Sequence, residues 1–118
     1  MRKFKFRAWS KEDNKMYHNA ERTYDFGLND SDIMEENFGE VLNNDNFIVM
    51  QYTGLKDKNG KEIYECDIVR TMEHIGIVEY HKGMYCINVD NSFKLPIYDI
   101  NEFMEVIGNI YEMPNLLK

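Results

Sequence analysis

MQYTGLKDKNGKEIYECDIV, residues Met50 to Val69, decides the fold of this chain. Two runs rich in aromatic and β-branched residues flank a charged centre. That centre holds Asn59-Gly60, the strongest short hairpin signal. Before it, Phe47 to Tyr52 reads as a buried strand. After it, Asp67 to Met72 and Gly76 to Tyr80 read as two short strands around a turn at 74–76. His81 to Gly83 turns again, Met84 to Val89 is the next strand, and Asp90 to Ser92 turns once more. Phe93 to Leu95 is a further short strand stopped by Pro96, and Glu105 to Tyr111 closes the series. Gly108 inside that last run predicts a bulge or a close backbone approach. Pro114 to Lys118 is expected to form one helical turn.

Short strands at ~8–12-residue spacing with turn signals between them predict a mostly β fold, a small barrel or sandwich. The order strand, tight turn, strand across 67–95 is a β-meander, which looks like the core of an SH3-like barrel, although OB-type barrels and plain sheets share it. The N-terminus predicts a hairpin. Phe4, Phe6 and Ala8 alternate with Lys3, Lys5, Arg7 and Trp9, the period of a half-buried strand. KEDNK, Lys11 to Lys15, is turn chemistry, and Lys15 to His18 returns. Residues 19–46 are the least regular part. Ser31 or Asp32 can cap a helix running to Leu42, with Ile33, Met34, Phe38, Val41 and Leu42 as a loose apolar stripe, while Gly39 weakens it. The expectation is a short helical or irregular acidic segment.

The 118 residues fit one domain, 1–118, with a variable acidic segment at 19–46 and a barrel-like core at 47–113. A chain this long buries roughly 65% of its unfolded surface, enough for a core without staples. No run reaches the ~20 apolar residues of a membrane helix. The start, MRKFKFRAWSKED, has no continuous apolar stretch of the secretory kind. The expected location is the cytoplasm. Cys66 and Cys86 form no CxxC pair and read as free thiols.

The net charge is −7, and the segment from Glu21 to Asn46 carries all of it: eight acidic residues against Arg22 alone. The rest of the chain is balanced. Nucleic-acid binding over the whole surface needs clustered Lys and Arg, and the charge distribution argues against it. The acidic stretch reads as a solvated face or as a docking surface for a basic partner.

Three blocks resemble the YopX-like family of phage and prophage proteins. They are KFRAWSKEDNKMY (Lys5 to Tyr17), MQYTGLKDKNGKEIYECDIVR (Met50 to Arg70) and EVIGNIYEMPNLL (Glu105 to Leu117), in the family's order. The resemblance implies a mostly β fold with an SH3-like barrel portion, self-association into a homo-oligomer, and residence in a bacterial host cell. It brings no catalytic residues. One position departs from the pattern: the family usually has a small residue, commonly Gly, between Glu65 and Asp67, where this chain has Cys66. If that Gly serves a positive φ, Cys is strained there; if it serves close packing, Cys is nearly tolerated.

Other chemistries find little support. GLKDKNGK, Gly54 to Lys61, has five residues between its glycines where a phosphate loop has four, and Glu62 replaces the magnesium-holding Ser or Thr. Asp57, Asn59 and Glu62 miss the calcium-loop spacing. Cys66, His74, His81 and Cys86 match no zinc spacing. Ser10, Ser31 and Ser92 sit in no nucleophile elbow. The basic face of Lys3, Lys5, Arg7 and Trp9 reads as edge protection or packing ahead of a single-strand binding platform. The expectation is therefore a non-enzyme without metal or cofactor that binds a protein partner; nucleic acid is the alternative. The expected contacts are exposed aromatics, Trp9, Tyr52, Tyr64 and Tyr80, with the acidic Asp30, Asp32, Glu35 and Glu36.

Overall fold

Strand β1, Phe6–Ser10, forms where the N-terminal alternation predicts it, and β2, Lys15–His18, returns beside it. The computed structural model describes residues 4–22, 38–89 and 93–117. The turn between the two strands is held by Ser10, whose hydroxyl accepts from Asp13 N at 3.1 Å, and Asn14 takes a positive φ of 54°. Asn tolerates that region better than most residues. By its internal contacts the chain divides into two compact units, residues 1–51 and 52–118. The boundary falls inside β3, Phe47–Lys56.

In the first unit, β1 pairs antiparallel with β2 on one side and with the first half of β3 on the other. β1 is therefore an interior strand, which overturns the edge-protection reading of its basic face. Arg7 is only 5% exposed and Trp9 is buried as well, so this face is packed. The opposite face carries Ala8, which clusters with Ala20 and Val41. Val41 comes from α1, Phe38–Leu42, and Phe38 packs on Phe6 with ring centroids 4.8 Å apart. The part of the expected helix at 31–37 lies outside the described residues.

The second unit opens with the far end of β3, which runs four residues beyond the expected Tyr52. It pairs with β4, Glu62–Tyr64, across an irregular register. Thr53 accounts for the irregularity: its hydroxyl donates to Ile63 O at 2.8 Å and accepts from Leu55 N at 3.2 Å. Then follow β5 (Asp67–Arg70), β6 (Ile75–His81), β7 (Met84–Val89), β8 (Phe93–Pro96) and β9 (Glu105–Asn109). They form one antiparallel sheet in the order β8-β7-β6-β5-β9. This is the expected meander, with the last strand returning to pair with the first. The fold is mostly β, with curled antiparallel sheets of the small-barrel kind. Val69, Val78, Ile87 and Val106 supply the core from the sheet, and Ile63, Ile97 and Met104 pack against them.

Strand ends follow side-chain chemistry that composition alone hides. β5 stops at Arg70 and not at the expected Met72, because Thr71 Oγ1 accepts from Glu73 N and His74 N and turns the chain. β9 stops at Asn109, whose Oδ1 accepts from Tyr111 N and Glu112 N. Gly108 fulfils the expectation of a bulge, and what approaches it closely is side chains and not backbone. The register with β5 shifts there, and the side chains of Met113 and Leu116 lie 2.8 Å from where a Cβ would stand. The closing helical turn, Pro114–Leu117, is a 3-10 turn.

Cys66 settles the question of its missing glycine. Its φ is +70°, so the position needs the left-handed region that glycine adopts without cost. Its N donates to Val78 O at 2.8 Å and its carbonyl accepts from Ile110 N at 3.1 Å, which holds the conformation in place. A non-glycine residue there costs ~1–2 kcal/mol. Cys66→Gly is expected to raise stability by about 1 kcal/mol, and Cys66→Val to lower it by at least as much, read as shifts in thermal midpoint of ~4–8 °C. Equal midpoints for all three chains would show that the turn relaxes freely.

Candidate interaction surface

The expected contact residues separate sharply in the structure. Trp9, Tyr52 and Tyr64 are buried, which corrects their reading as exposed aromatics. Trp9 lies opposite Met16 and Ile48 on an interior strand. Tyr52 and Tyr64 face each other across the β3–β4 pair with ring centroids 5.5 Å apart. Tyr80 does reach the surface, 56% exposed, and leans on Tyr85, its partner across β6 and β7, at 5.1 Å. Asp30, Asp32, Glu35 and Glu36 lie outside the described residues.

The hairpin turn that invited phosphate and calcium readings has a structural task. Asp57 is buried. Its Oδ1 accepts from Asn59 N and Lys61 N, and its Oδ2 from Val106 N, each at 2.9 Å. Burial alone would raise its pKa; the three backbone donors and the charge of Lys61 outweigh that and hold it below the usual carboxylate value. A carboxylate occupied by three amides of its own chain has little left for a cation. Gly60 takes its positive φ of 81° to close the turn, not to admit a phosphate.

Among the described residues no three His, Cys, Asp or Glu side chains gather as a metal-binding group. Burial, and then the charge of Glu79, pushes the Cys86 thiol up, the opposite of nucleophile activation. Cys66 lies beside Tyr111, whose hydroxyl is raised by burial first and by Cys66 second.

What the second unit does present is an open apolar groove of about 300 Å³. It is lined by Thr71, Met72, Glu73 and His74 from the β5–β6 turn, Leu95 from β8, and Ile100 and Phe103 from the β8–β9 connection. The topology explains the meeting. β8 ends with Pro96 opposite Cys86, while β9 begins with Glu105 opposite Arg70. Residues 97–103 must therefore cross the unit, and two short 3-10 turns, Ile97–Asp99 and Asn101–Phe103, carry them. Ile97 and Met104 anchor that crossing in the core. The volume is at the low end of the ~300–1,000 Å³ typical of small-molecule sites.

Two groove residues stand out. Met72 is 100% exposed and Phe103 is 72% exposed. Sequence reasoning missed both. The residue pattern predicts a strand through Met72, and its displacement into a turn by the Thr71 hydroxyl has no apolar-pattern signal. Phe103 lies in INEFM, a stretch without periodicity.

These features define a mostly β fold whose second unit presents an exposed apolar groove. The chain belongs to the YopX family: the family model described as YopX protein matches residues 5–118. Among solved structures, it is similar to protein EF1440 from Enterococcus faecalis, with 28% identity, full coverage of both chains and a TM-score of 0.67. It also shares its fold with protein yopX from Bacillus subtilis, at 20% identity and a TM-score of 0.56, over 97% of this chain and 98% of that one. A comparison with curated proteins found no significant match. Among the described residues, no helix is long and apolar enough to cross a membrane.

Proposed function

We propose that this chain is a non-catalytic protein-binding module that serves as a phage or prophage accessory protein in the cytoplasm of a bacterial host and associates with copies of itself. The observation that carries the binding reading is the groove beside Met72 and Phe103. Large apolar side chains held at the surface around a concavity are a common mark of a protein contact. Protein is favoured over nucleic acid because several of the described cations are engaged elsewhere. Arg7 is buried. Arg70 and Lys58 lie 3.4 Å and 3.5 Å from Glu105, and Lys94 pairs with Glu79. Phosphate binding depends on clustered, available Lys and Arg.

A tagged pull-down from host lysate, with and without nuclease, tests this reading against its rival. The expected result is a stoichiometric protein band that survives nuclease and falls about tenfold with the double variant Met72→Ser, Phe103→Ser, as the loss of one hot-spot anchor implies. Bands that vanish with nuclease would transfer the function to nucleic-acid binding. Light scattering on the purified chain reads the self-association directly.

A further inference from the structure

Charge around the groove narrows the kind of partner it takes. Glu73 lies in the lining and is 84% exposed at its side chain, with His74 Nε2 3.9 Å from its carboxylate. Asp99 and Glu102 are exposed on the two short turns that flank Ile100, the second of which carries Phe103, and make no ion pair among the described residues. The cations on the neighbouring strands are already matched, Arg70 to Glu105 and Lys94 to Glu79. Lys56, whose carbonyl accepts from Asn101 Nδ2 at 2.8 Å, returns one positive charge to this neighbourhood. Lys58, which shares Glu105 with Arg70, returns a second, so three carboxylates stand against two lysines and a small acidic excess remains beside the apolar floor.

We infer that the groove takes a protein segment with one large apolar anchor flanked by Lys or Arg. The anchor enters between Met72, Leu95, Ile100 and Phe103, and the flanking cations face Glu73, Asp99 and Glu102. This deepens the protein-binding reading and rests on it. The apolar contact supplies most of the affinity, while the exposed charges, screened by solvent, set the preference and the rate of encounter. An acidic segment carrying the same anchor is disfavoured by like charge.

The test uses three fluorescent peptides with the same central Phe and with Lys, Ser or Glu flanks, titrated by anisotropy against the full chain. Lys flanks are expected to bind roughly tenfold tighter than Glu flanks at low salt, the combined effect of a few exposed pairs. The preference should shrink at about 0.15 M salt, where the Debye length falls to ~8 Å. The triple variant Glu73→Gln, Asp99→Asn, Glu102→Gln should bind the three peptides alike, and Phe103→Ser should weaken all three. All four positions are exposed, so circular dichroism should report an unchanged fold. Equal binding of Lys and Glu peptides, or a preference that survives in the triple variant, overturns the charge inference and leaves the protein-binding reading standing. Failure of every peptide to bind overturns the groove as the anchor site, while the nuclease-controlled pull-down still decides the wider reading on its own.

Discussion

Asp57→Ala is expected to cost about 3–5 kcal/mol of stability, because it strips a charge-accepting partner from three backbone amides at once. Two of those amides, of Asn59 and Lys61, belong to the hairpin turn and can recruit water. The third, Val106 N, is 49 residues away on a buried residue of β9. Beside it, Lys58 N donates to Met104 O at 3.0 Å. The turn thus covers the side of β9 that β5 does not pair, and losing Asp57 uncovers it. Asp57→Asn retains one acceptor oxygen and should cost about 2 kcal/mol.

The same residue predicts a pH dependence with a definite sign. A carboxyl whose folded pKa lies below its unfolded value binds fewer protons in the native state. Its contribution is fully present above the unfolded pKa of ~3.9, and it fades as pH falls through the folded value. Urea midpoints followed from neutral pH downward should drop below about pH 4 in the natural chain, and drop less in Asp57→Asn. Parallel curves for the two proteins would remove Asp57 from the account of acid stability.

Gly76→Ala is the second large effect, with an expected loss of about 3 kcal/mol or more. A Cβ at this position would collide with Ile87 Cγ2 and stand 2.7 Å from Asn88 O. Side chains can rotate away from an added methyl group; a carbonyl oxygen held in a strand cannot. Ile87 is fully buried in the core, so its own retreat is limited too. The collision lies between β6 and β7, the pair at the centre of the five-stranded sheet. A denaturant midpoint close to that of the natural chain would mean that β6 and β7 can separate without loss.

Much of the architecture is legible in the residues because it depends on local patterns. Asn59-Gly60 sets the hairpin, alternation sets β1 and β2, and turn residues separate the strands of the meander. Gly108 marks its bulge without any knowledge of what packs on it. The three blocks at Lys5–Tyr17, Met50–Arg70 and Glu105–Leu117 point to the family that residues 5–118 match as a whole. Local chemistry also raises the right question at Cys66, since a two-way choice about φ is visible from the departure alone.

The tertiary structure decided everything that depends on who stands opposite whom. A basic and aromatic face reads the same on an edge strand as on an interior one, and only the pairing of β1 with both β2 and β3 buries Arg7 and Trp9. Tyr52 and Tyr64 share a residue type with Tyr80, yet cross-strand packing hides the first two and leaves the third in solvent. Asp57 has the sequence of a hydrated turn and the role of a buried clasp, because its third donor arrives from a distant strand. The groove has no motif at all: the Thr71 hydroxyl ends β5 early, residues 97–103 cross the second unit, and Met72 and Phe103 come to line the same concavity. Periodicity records which face of an element a residue takes; the partner across that face is set by long-range closure of the chain.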